Sequence, residues 1–168
     1  MAVQHLRTGG LERSGGNSGS APLGVVFLID TSALAKAQTF GPAQEALSGL
    51  NEIGRLATCL PLMLESGYSA RNHLDHTDVM WKLFGSFEKL IPAPELLDIA
   101  LDLQGRLFEV GRGRSVGVAD LMVAAHAIHY SSEGSAVVVV HYDADYDYLI
   151  GIAPELHARW LVPRGSIA

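Results

Sequence analysis

A chain of 168 residues with 48% apolar composition suits one ordinary domain with a substantial core, and two full domains would be cramped. Eighteen Asp and Glu against twelve Lys and Arg give a formal charge of −6, which excludes a broadly basic surface as the means of gripping nucleic acid. Cys59 is the only cysteine, which excludes an internal disulfide framework and any zinc site built from this chain's thiolates alone.

Residues 1–23 are rich in Gly and Ser and hold no apolar run, so a flexible arm is expected there, ahead of a domain spanning 24–166. The arm lacks the apolar stretch of a secretory signal, and no later window approaches the roughly eighteen consecutive apolar residues of a membrane span, so a cytoplasmic location is expected. Val25 to Ile29 reads as a buried parallel strand that ends in Asp30-Thr31-Ser32, where helical spacing begins. After the Gly41-Pro42 break, Ala43 to Ala57 has helical spacing, and Leu56 to Cys59 reads as a very short strand. Pro61 suits the first turn of a helix starting at Thr58 or Cys59, which carries Glu65. Asp75 to Phe87 predicts a further helix and Lys89 to Ile91 a short strand closed by prolines.

From Glu95 to Val110 the apolar repeat predicts a long amphipathic helix that stops at Gly111-Arg112-Gly113-Arg114. Val118 to Tyr130 is the next helix and carries Asp120 near its start. The β-branched run Ala136 to Val140 is the clearest strand, and it delivers His141, Tyr142, Asp143 and Asp145 at its carboxyl end. Trp160 to Val162 reads as a terminal strand. It runs straight into Leu161–Ser166, LVPRGS, a sequence also used to cut tags from recombinant proteins, and the continuity favours a native end. Alternating strands and helices predict a three-layer α/β/α domain around a mostly parallel sheet.

Two acids, Asp30 and Asp143, fall at strand ends, and two, Glu65 and Asp120, fall near helix starts. Right-handed crossovers bring such ends to one edge of a sheet. Crowded carboxylates raise each other's pKa unless a cation neutralises them, and oxygen ligands select a hard one, Mg²⁺ or Mn²⁺, suited to phosphodiester hydrolysis. Spacing alone is a weak signal, because any α/β chain has acids at some strand ends. Other motifs fail on their own terms. Asp143, Asp145 and Asp147 alternate as in a calcium loop, but Tyr148 stands where the glycine is needed and Pro154 where the bidentate Glu belongs. The histidine pairs 73/76 and 126/129 lack partner ligands, the glycines at 111, 113 and 117 do not follow a strand, and Ser32 replaces the second Asp of a haloacid-dehalogenase-type phosphatase.

The segments VVFLIDTSAL, LPLMLESGYSAR, VGVADLMVAAHA and VVVVHYDADYDYL stand in an order and spacing that resemble the PIN-domain nucleases, and within them the VapC-type toxins of bacterial toxin–antitoxin pairs. The resemblance runs from about Val25 to Ser166. It implies that Asp30, Glu65, Asp120 and Asp143 are the acidic, metal-binding set, with Asp145 a fifth candidate that competes with Asp143 for the last place. It implies that Thr31 or Ser32 orients the first acid or a water on the metal. It further implies Mg²⁺-dependent endonucleolytic cleavage of RNA, a homodimer, and neutralisation by a small antitoxin. Arg112 and Arg114, on a glycine-bracketed loop ahead of Asp120, are expected to hold an RNA phosphate. Tyr68, Met80, Trp81 and Phe84 offer either a dimer surface or the completion of the core. The alternative function is a PIN-like module that binds RNA or protein without cutting.

Overall fold

The computed structural model describes residues 24–131 and 135–167, so the arm expected over residues 1–23 lies outside the described residues. In chain order the elements are β1 (Val26–Ile29), α1 (Thr31–Thr39), α2 (Gly41–Ile53), β2 (Arg55–Cys59), α3 (Leu60–Tyr68) and α4 (His73–Asp78). The chain then makes a π-helical turn (Val79–Leu83), β3 (Glu88–Leu90), α5 (Leu96–Glu109), α6 (Val118–Tyr130), β4 (Val137–His141), α7 (Asp145–Ile152) and β5 (His157–Trp160). The five strands form one parallel sheet in the order β3-β2-β1-β4-β5. Strand order reverses at β1, whose neighbours are β2 on one side and β4 on the other. Ligands of open parallel sheets bind in the crevice beyond the strand ends at such a reversal.

Both faces of the sheet are covered, which explains why β1 and β4 are continuous apolar runs and not alternating ones. Val26, Leu28, Ala57, Val137 and Val139 point into one core with Leu103 and Leu107 of α5, Leu121, Val123 and Ala124 of α6, and Tyr146 and Leu149 of α7. Phe27, Ile29 and Val140 point the other way, toward Ala33 and Leu34 of α1, Leu50 of α2, Phe84 and Leu161. The expected three-layer α/β/α arrangement is therefore present. No described helix is long and apolar enough to cross a membrane.

Boundaries differ from the expected ones in four places. α2 stops at Ile53, because Gly54 packs against β1 so closely that a Cβ there would lie 2.5 Å from the Val25 carbonyl oxygen. The helix expected over 75–87 is α4 followed by the π-helical turn, and Phe84 completes the core while Tyr68 and Trp81 stay 94% and 76% exposed. The last strand is His157–Trp160, starting three residues earlier than expected, and α7 begins at Asp145, where no element was assigned. The segment after β5 is built into the fold: Leu161 is buried, Arg164 pairs with Asp147 at 3.1 Å, and Ile167 N donates to the Tyr142 hydroxyl at 3.1 Å.

Candidate active site

Asp30 leaves the end of β1 at the strand-order reversal and caps α1. It is buried, its backbone N–H continues the β1–β4 pairing to the Val140 carbonyl at 2.9 Å, and its Oδ2 accepts from Ser32 N at 2.9 Å. Capping of this kind satisfies one of the free amides of the first helical turn. The Ser32 hydroxyl donates to the same oxygen, and in turn accepts from Tyr142 N at 2.9 Å, which ties the loop after β4 to α1. Oδ1 is held by the hydroxyl of Tyr146 at 3.0 Å. Both oxygens of Asp30 are thus oriented by donors on either side of the sheet's central pair of strands.

Glu65 sits in α3 on the rim, exposed, and its Oε2 accepts from Thr31 Oγ1 at 2.7 Å. Asp120 lies in the first turn of α6. Gly117 makes room for it, because a Cβ there would lie 2.9 Å from Asp120 Oδ2. Asp143 follows β4, and its Oδ1 accepts from Asp145 N at 3.0 Å, starting α7.

Asp30, Glu65, Asp120 and Asp143 line one cavity of about 450 Å³ together with Thr31 and Ser32. Asp145 does not line it, though its charge reaches Asp120. The electrostatic consequence is concentrated on Asp120, whose pKa is pushed up to about 7, first by burial and then by the charges of Asp30, Asp143, Asp145 and Glu65. Burial, with Asp143 adding to it, raises Asp145 as well. Such a set is short of positive charge, and all its donors are hard oxygens, which fits a hydrated Mg²⁺ or Mn²⁺ and not a thiolate-seeking ion. Among the described residues, no three acidic, histidine or cysteine side chains are drawn together tightly enough to clasp an ion as they stand.

Arg112 and Arg114 do not line this cavity. The left-handed Gly111 (φ 72°) ends α5 with bonds from Gly111 N to Phe108 O and Arg112 N to Leu107 O. This turn carries the arginines to a separate depression, where the Arg112 guanidinium stacks 4.4 Å from the Tyr148 ring centre. Asp147, which alternates with Asp143 and Asp145, accepts from Trp160 Nε1 at 3.0 Å and from Arg164 at 3.1 Å.

Sequence reasoning missed Tyr146 and His141. Tyr146 is fully buried, and burial together with nearby Asp30 and Asp120 holds its phenol well above the ordinary range, so it remains a neutral donor. His141 is buried between the rings of Tyr146 and Trp160, its Nδ1 accepts from Asp143 N at 3.3 Å, and burial lowers its pKa. It is a neutral prop for the Asp143 loop. Cys59 is no nucleophile: burial, reinforced by Asp30, pushes its thiol up to about 12.

No protein-family model matches the chain. It is similar to Ribonuclease VapC51 of Mycobacterium tuberculosis (strain ATCC 25618 / H37Rv), 32% identical over 142 residues that cover 84% of this chain and 96% of that protein. It is equally similar to Ribonuclease VapC18 of the same strain, 32% identical over 145 residues covering 85% of this chain and 100% of that protein. Among solved structures, its fold is similar to VapBC-1 from nontypeable Haemophilus influenzae, with a TM-score of 0.66 at 15% identity over 81% of this chain and 98% of that one. The DNA-bound VapBC from Salmonella typhimurium gives a TM-score of 0.63 at 19% identity over 82% and 99%.

Proposed function

Because the chain belongs to the VapC family of ribonucleases, we propose that it is a Mg²⁺- or Mn²⁺-dependent endoribonuclease and the toxin of a type II toxin–antitoxin pair, acting in the cytoplasm. The observation that carries this reading is the meeting of Asp30, Glu65, Asp120 and Asp143 in one cavity, where burial and then the surrounding negative charge push Asp120 up to about 7. Residues 24–166 form the catalytic unit of the proposal.

Asp30, Glu65, Asp120 and Asp143 would hold the ion, and Asp145 adds charge from just outside. When bound, the ion supplies Lewis-acid stabilisation of charge developing on the phosphodiester and activation of the attacking water. The chain's own residues orient the acids. Ser32 and Tyr146 fix the two oxygens of Asp30, Thr31 holds Glu65, and the His141 ring supports the turn that presents Asp143. Arg112 and Arg114 border a separate depression, and RNA long enough to extend past the cavity to it would meet their guanidinium groups there.

An apolar groove of Leu60, Pro61, Leu64, Val118, Ala119 and Met122 borders Glu65, which supports burial of a second protein surface beside the acids, as a homodimer and a small antitoxin both require.

The test is cleavage of a single-stranded RNA pool by the purified chain. Cleavage that depends on Mg²⁺ or Mn²⁺ and stops with a chelator is expected. Cleavage that survives the chelator contradicts the metal, and a folded, RNA-binding protein that cuts nothing contradicts the enzyme. Tyr146→Phe is expected to keep the fold, since only a hydroxyl is removed, yet to lower kcat about 10-fold with KM nearly unchanged, the usual scale for a residue that orients a metal ligand. Steady-state kinetics on wild type and variant check it.

A further inference from the structure

The cavity that holds the acids is longer than an ion and one phosphate need. Along α1 it runs from Asp30 past Leu34 and Ala35 to Gln38, two helical turns or about 12 Å. Val79 and Leu83 of the π-helical turn face this stretch, and Ser69 lies one turn beyond Glu65 on the α3 side. None of these residues carries a charge. A second phosphate would find no cation here, so the far end of the cavity suits the uncharged part of a nucleotide. Apolar side chains suit the flat faces of a base. The exposed Gln38 amide lines this end of the cavity and offers both a donor and an acceptor to a base edge.

We propose that this extension seats a single unstacked base of the RNA, next to the scissile phosphate, and that Gln38 reads its edge. The inference rests on the ribonuclease reading and deepens it by naming the residue that sets base preference beside the cut, which a base held in a duplex could not reach. Gln38 is exposed, so its replacement leaves the core intact. Ala35 is exposed as well, and a large side chain there would fill the lobe without entering the sheet.

The experiment sequences the cleavage ends that wild type, Gln38→Ala and Ala35→Trp leave on a randomised single-stranded RNA pool with Mg²⁺, and measures kcat and KM on one preferred oligonucleotide. Wild type is expected to favour one base at a fixed position beside the cut by roughly five-fold or more, the low end of discrimination by a paired side-chain amide. Gln38→Ala should flatten that position alone, Ala35→Trp should raise KM about ten-fold, and the same site placed inside a duplex should be cut poorly. Two active variants with unchanged base preference and unchanged KM would overturn the base seat and leave the ribonuclease reading standing. Absence of any metal-dependent cleavage by wild type would overturn both.

Discussion

Asp120→Asn is expected to abolish cleavage and, in metal-free buffer at pH 8, to raise the melting temperature by roughly 5 °C. The two effects have one cause. In the folded chain Asp120 is partly buried and then surrounded by the charges of Asp30, Asp143, Asp145 and Glu65, so it takes up a proton at about 7, while in the unfolded chain it ionises near 3.8. A folded-state pKa raised in this way leaves stability whole below the unfolded value and removes it as the pH climbs through about 7, by a few kcal/mol once partial exposure is allowed for. Asparagine keeps the shape and escapes that loss. The difference between variant and wild type should therefore be largest at pH 8, shrink as the pH falls, and close only below about 4, where Asp120 is protonated in both states. Added Mg²⁺ should stabilise wild type at pH 8, by up to about 2.7 kcal/mol at a hundredfold excess over its Kd, and the variant far less. Thermal melts at two pH values, with and without metal, read all of this. A variant no more stable than wild type in metal-free buffer at pH 8 would show that the acids do not crowd one another.

Asp30→Asn is expected to lower kcat on the order of 1,000-fold, well past the roughly 10- to 100-fold typical of residues that only orient a metal ligand. Asp30 is buried, yet the geometry argues against a folding defect. The Asn carbonyl oxygen can keep the bonds from Ser32 N and Ser32 Oγ, and the amide can turn toward the Tyr146 hydroxyl, which accepts as well as donates. Asparagine is also a good helix cap. What disappears is the charge. Circular dichroism should look native and the melt should be no lower than that of wild type while cleavage is lost; native-like cleavage in this variant would remove Asp30 from the site.

β1, α6 and β4 were legible in the residues because each is a long, one-sided statement: a continuous apolar run, a small-residue helix opened by an acid, an unbroken β-branched run. The placement of Asp30 and Asp143 follows from them, since a buried parallel strand hands its next residue to the edge of the sheet. The end of α2 was not legible, because Ala-rich spacing continues past Ile53 and only the close approach of Gly54 to β1 stops the helix. β5 was misplaced because it is an edge strand with exposed His157 and Arg159, so its apolar signal comes late, at Trp160 and Leu161. Tyr146 could not be assigned a role from sequence. An aromatic at helical spacing reads as core, which it is, and its hydroxyl's partner lies 116 positions away. The arginine loop was placed by its nearness in sequence to Asp120, and the left-handed turn at Gly111 carries it to a depression of its own.

Calorimetric titration of Mg²⁺ into the metal-free protein at neutral pH addresses the shared cation most directly. The account predicts saturable binding with release of protons as Asp120 ionises, and its loss in Asp30→Asn. Wild-type protein that takes up no Mg²⁺ or Mn²⁺, or an Asp30→Asn variant that binds it as well as wild type, would contradict it.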